Sequence, residues 1–188
     1  EVFAAGAEGY GTLQELMILQ KHVLEINPDI FVLQFCNNDF FNNSLGLEGK
    51  SIVRNQKKLR PYFVENEIVF RHSATHWYRF LYGRSKIFRF LDTKLLFIQS
   101  NYYDGYLPPP YVYVDGDIQL QTDNGLVSLT GENEDAERTT STLLSMMADT
   151  VPDKTKLFTF NCSTGSKLAT QRWQRMADNA GFDSLTEV

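Results

Sequence analysis

The 188-residue chain has only two cysteines, three histidines and no run of about 18 apolar residues. Each shortage excludes something. Cys36 and Cys162 form no CxxC pair and no zinc-ligand spacing, so neither a zinc knuckle nor a disulfide framework fits. Each follows an apolar run, which suits a small side chain at a strand end. Whether they form a disulfide, and so which redox compartment applies, stays open. The lack of a long apolar run excludes a spanning helix, and no signal peptide is visible. A basic excess is also missing. The net charge is −5 and the sequence pI about 5.2, which argues against a nucleic-acid partner. The stretch from Arg54 through Lys57 and Lys58 to Arg60 reads as a solvated face. His22, His72 and His76 fit no metal-ligand spacing with acids, so no metal and no cofactor is expected.

What is present belongs to an ordinary globular chain. Hydrophobic residues at 43% and charged residues at 22% fit one domain over residues 1–188 rather than disorder or coiled coil. Val2 to Ala5 reads as a strand, followed by the turn Gly6-Ala7-Glu8-Gly9-Tyr10-Gly11. Thr12-Leu13-Gln14-Glu15 has the form of a capping box. Leu13, Leu16, Met17, Val23, Leu24 and Ile26 then mark one helical face, stopped at Asn27-Pro28-Asp29. Ile30 to Phe35 is nearly all apolar, as in a parallel strand buried on both faces. The last third repeats the alternation: a helix from Asp135 to Thr150, a strand from Lys156 to Phe160, a helix from Gly165 to Ala180 with Gly181 as its left-handed cap, and a strand from Phe182.

These units predict a three-layer α/β/α domain with a mainly parallel sheet, of flavodoxin-like type. Both ends read as elements under way, so the chain is expected to be cut at each. Residues 42–132 read as a long insertion or lid after the second visible strand. It holds a hairpin around Glu65-Asn66, an aromatic helix from His76 to Phe97 and short strands from Tyr111 to Thr130. Its Trp77, Tyr78, Tyr82, Tyr102, Tyr103 and Tyr106 are expected to form a core beneath a lid.

Two places can carry chemistry, both just past strand C-termini, where open α/β sheets bind ligands. At the first, Gly9 centres a turn that feeds a helix N-terminus, where free N–H groups favour negative charge. At the second, Cys36-Asn37-Asn38-Asp39 follows the apolar strand. An asparagine amide is a neutral donor that can hold an oxyanion, and Asp39 can accept from nearby backbone N–H groups. Each place read alone is also an ordinary turn.

Taken in order, AAGAEGYGTLQELMILQKHVLEINPDIFVLQFCNNDFFNN resembles the second and third conserved blocks of the SGNH/GDSL hydrolases. The resemblance covers roughly the first 43 residues. It places the oxyanion glycine at Gly9 and the oxyanion asparagine at Asn38, with Gly6 and Asn37 as the nearest alternatives. Cys36 stands where the family's third block usually begins with glycine. The family's Gly-Asp-Ser and Asp-x-x-His blocks are absent from these residues. The resemblance therefore implies an esterase or lipase-like carboxylic ester hydrolase in the intact protein. Its serine would lie upstream, its histidine downstream, and the chain alone would be inactive. The implied partner is a small-molecule ester, with an acylated carbohydrate among the candidates. A related acyltransferase, a non-catalytic carbohydrate-binding module and a nucleotide-binding domain are the alternatives. The last is weakened because Gly6-x-x-Gly9-x-Gly11 inverts the dinucleotide spacing, and because Gly49-Lys50-Ser51 lacks a leading glycine at Ser44.

Overall fold

The computed structural model describes residues 1–6, 9–48, 59–72, 76–102, 111–114, 117–122, 125–128, 130–162 and 167–185. Helix α1 (Thr12–Ile26) leads into strand β1 (Ile30–Phe35) and the short helices α2 (Asn37–Asn42) and α3 (Leu45–Glu48). A hairpin follows, β2 (Arg60–Val64) and β3 (Glu67–Arg71), then helices α4 (His76–Arg84) and α5 (Lys86–Tyr102). Next come β4 (Tyr111–Val114), β5 (Asp117–Thr122) and β6 (Gly125–Ser128). Helix α6 (Thr130–Thr150), strand β7 (Lys156–Asn161), helix α7 (Lys167–Asn179) and strand β8 (Asp183–Ser184) complete the order.

The main sheet is parallel, in the order β1-β7-β8. The chain is thus an α/β protein. Its crossover from β1 to β7 runs through α6, and the elements α2 to β6 precede that helix in the chain. The helix expected from Asp135 begins five residues earlier, at Thr130. The expected single helix from His76 is broken at Ser85, whose hydroxyl accepts from the Phe88 N–H at 3.1 Å and caps α5. The hairpin turn is as expected. Glu65 and Asn66 both take positive φ, the geometry of a tight two-residue hairpin. Where short strands in irregular structure were expected, β4, β5 and β6 pair into an antiparallel three-stranded sheet.

One core joins α1, α6, α7 and one face of the sheet. Leu13 and Leu16, Leu143, Leu144 and Met147, Met176 and Ala177, and Leu33 of β1 all meet there. The helical periodicity of these residues is what makes each helix turn one apolar stripe inward. The described residues supply two of the three expected layers. The strand β1 is not buried on both faces: Leu33 and Phe35 face the core, whereas Ile30 and Val32 are 57% and 50% exposed. No described helix covers that second face.

Three other expectations change. Val2 to Ala5 makes no ladder among the described residues, and Val2 is 94% exposed. A strand exists only through its partner; without one the backbone turns to water. Thr12 is not the helix cap. The cap is Gly11, whose N–H donates to Gln14 Oε1 at 3.0 Å, while Thr12 and Glu15 are turned toward the interior. Arg60 is not solvated either. It is buried and its Nη1 lies 2.8 Å from Glu48 Oε1. Arg54, Lys57, Lys58 and the glycine-lysine-serine stretch lie outside the described residues.

Candidate functional site

The C-terminal end of β1 delivers the chain directly into α2. Cys36 is the helix cap, with extended φ of −121° and ψ of 150°. Extended backbone suits any residue, so a side chain is tolerated at this position. Asp39, three residues on, accepts from the Cys36 N–H through Oδ2 at 2.7 Å. That bond satisfies a donor at the strand exit and makes Asp39 the brace of the turn.

Below the turn lies a second apolar cluster of Phe35, Phe40, Phe41, Leu47, Ala136 and Trp173. Phe40 and Phe41 anchor α2 in it, and the guanidinium of Arg172 sits 5.2 Å from the Phe40 ring centre. Asp39, Phe40, Phe41 and Asn42 are buried. Among the described side chains of α2, Asn38 alone keeps partial exposure. The Asn-Asn-Asp segment is therefore a turn of helix rather than a loose loop, with Asn38 partly exposed on it.

Gly11, which precedes α1, abuts the same helix. A Cβ at Gly11 would stand 2.8 Å from the Cβ of Asn42 and 3.1 Å from Asn43 Oδ1. Only a glycine lets α1 begin this close to α2. Gly9, two residues earlier, has φ of 80°, in the left-handed region that favours glycine. Asn43, which caps the end of α2, donates through Nδ2 to both Thr12 Oγ1 and Thr140 Oγ1, each at 3.0 Å. One buried amide thus ties together the start of α1, the end of α2 and the middle of α6. Gly11 and Thr12 at the start of α1 and the end of α2 thus pack together. Gly6 lies at the exposed start of the chain, with open space around its Cβ position.

Two features here were not foreseen. The first is a pair of buried carboxyls. Burial, and after it the nearby charge of Asp39, together push Glu15 up to about 8. Burial likewise pushes Asp39 up to about 7, against the lowering effects of the Cys36 N–H and the charge of Arg60. Glu15 Oε2 is enclosed without a hydrogen-bond partner among the described residues. A signal did exist in the sequence: Glu15 falls three residues after Thr12 and four before Leu19, inside the inward stripe of α1. The second is a Glu48–Arg60–Tyr62 triad. Glu48 is fully buried, pairs with Arg60 and accepts from the Tyr62 hydroxyl; burial holds its carboxyl above the ordinary range. It joins α3 to β2 across residues whose sequence spacing gives no hint of contact.

The cysteines are joined. Cys36 and Cys162, left open by the sequence, form a disulfide with Cα atoms 5.2 Å apart across 126 residues of chain.

The remaining candidates lie elsewhere. His22 stands on α1 beside Glu25 and against the Phe3 ring. His76 borders Trp77, and His72 follows the hairpin. Among the described residues no group of His, Cys, Asp and Glu could hold a metal, and no helix is long and apolar enough to cross a membrane. Of the aromatics expected to form a core, Trp77 lies at the surface and Tyr78 and Tyr82 are half-buried. Tyr78 packs on Tyr82 and Phe88 and donates to Asp92, but Trp77 is 73% exposed, and Phe80, Phe90 and Phe97 are exposed too. The described residues place no layer over them. Tyr103 and Tyr106 fall outside the described residues.

The fold and this site define an α/β chain whose candidate site lies at the C-terminal edge of a parallel sheet. No protein-family model, no curated protein and no solved structure matches it significantly.

Proposed function

We propose that this chain carries the oxyanion-binding portion of a serine ester hydrolase of the GDSL type, acting on a small-molecule ester. One observation carries the reading. Asn38 keeps partial exposure directly after a parallel strand, next to the buried Asp39 that braces the turn and the buried Phe40 and Phe41 that anchor it. Its amide is a neutral donor on a rigid support, which is what a developing oxyanion needs. The left-handed Gly9, two residues before the Gly11 that packs on α2, is the second candidate donor in this reading. In this reading a serine from outside the 188 residues attacks the ester carbonyl, and a histidine from outside them accepts the proton and returns it to the leaving alcohol. The serine N–H, the Gly9 N–H and the Asn38 amide hold the oxygen as it becomes negative. The third layer of the sandwich would then cover Ile30 and Val32 on the open sheet face. Acetyl or short acyl esters are the default substrates, by family analogy alone.

The test is Asn38→Ala in the full-length enzyme. Turnover of a p-nitrophenyl ester should fall by about 10²–10³-fold with folding intact; unchanged turnover sinks the assignment. Sequencing beyond both ends adds an independent check through the presence of Gly-Asp-Ser upstream and Asp-x-x-His downstream. If an intact frame lacks either, the exposed Trp77 favours the second reading, a surface on which sugar rings stack.

A further inference from the structure

We infer that the Cys36–Cys162 disulfide is a positioning device for Asn38, tethering the turn that carries it to the neighbouring strand. This inference rests on the ester-hydrolase reading. Strands β1 and β7 run side by side in register, with Phe35 opposite Asn161. Cys36 and Cys162 are the next residue on each strand's exit, and the Cys162 N–H donates to the Phe35 carbonyl at 2.8 Å. The ladder ends there, and the disulfide begins at the same point. It spans the whole insertion, since α2 to α6 lie between its two ends.

Position matters more than loop length here. Cys36 is at once the last residue before α2, the N–H donor to Asp39 and one end of the covalent link. Asn38 follows two residues later. The phenylalanine cluster holds the buried side of α2, and the disulfide fixes its leading end. A donor that must meet an oxyanion within a few tenths of an ångström gains from both restraints, because a shift of about 1 Å can cost 10²-fold in rate. The side chain at the position of the family's glycine thereby acquires a use: a cysteine here can be tied across the sheet. Cys162 is exposed and Cys36 partly so, which leaves the link open to reductant. Such bonds persist in oxidising surroundings.

The experiment uses the full-length enzyme. Peptide mapping under non-reducing conditions should recover Cys36 linked to Cys162. Reduction with a phosphine should lower kcat by about tenfold with KM changed little, and reoxidation should restore it. The Cys36→Ser/Cys162→Ser double variant should match the reduced enzyme. In Asn38→Ala, reduction should cost nothing further, because the residue being positioned is gone. Unlinked cysteines in the mapped protein overturn the inference. So does a reduced enzyme with undiminished kcat, or an equal loss on reduction in Asn38→Ala. Failure of the underlying reading looks different: Asn38→Ala then turns over like the wild type, while mapping still reports the link.

Discussion

Glu15→Gln should make the protein more stable at pH 8 than the wild type and flatten its pH dependence. Glu15 has an ordinary value of 4.5 and is pushed to about 8 in the fold, by burial first and by Asp39 second. Between those values the folded state keeps a proton that the unfolded chain has released. Stability from this group is therefore fully present below about pH 4.5 and is lost as pH rises through about 8. Across that window the loss accumulates at about 1.4 kcal/mol per pH unit. The upper bound is thus ~5 kcal/mol, and coupling to Asp39 leaves ~2–4 kcal/mol as the working figure. Glutamine keeps the shape, removes the titration and relieves the charge opposite Asp39. Urea unfolding at intervals from pH 5 to pH 9 reads this directly. The wild type should lose stability across that range, and Glu15→Gln should lose distinctly less. Asp39, itself raised to about 7, supplies the remaining slope. Parallel curves for the two proteins would refute the argument, and so would a Gln variant that is weaker at pH 8.

Two predictions concern the packing around the site. Gly11→Ala should destabilise by about 1–3 kcal/mol, because its Cβ would lie 2.8 Å from the Asn42 Cβ, which cannot swing aside without moving α2. A melting temperature equal to that of the wild type would show that the contact relaxes freely. Arg60→Ala should cost about 3–5 kcal/mol by leaving Glu48 buried without its cation. Adding Glu48→Gln should recover part of that loss in denaturant titrations; no recovery would place the cost in lost packing instead.

Much of the fold was legible because periodicity survives without context. The inward stripe of α1, the apolar run of β1, the turn at Glu65-Asn66 and the cap at Gly181 follow from spacing and backbone preference. Context decided the rest. Thr12 and Glu15 have the letters of a capping box, yet the hydroxyl of Thr12 is used by Asn43 from 31 residues away, and Glu15 is drawn inward beside Asp39. Arg60 sits in a basic stretch, yet a buried glutamate claims it. An apolar strand such as Ile30 to Phe35 says that burial is available, not how many layers supply it.

The candidate site divides in the same way. Residue order alone establishes that a glycine turn leads into a helix and that an Asn-Asp turn follows an apolar strand, since such turns are set locally. It took the assembled fold to start α1 against α2, to leave Asn38 partly exposed there, and to bring Cys36 to Cys162. Those facts depend on which strands become neighbours. The chain settles that by burying its helices against one sheet face, a property of the whole core that no local window contains.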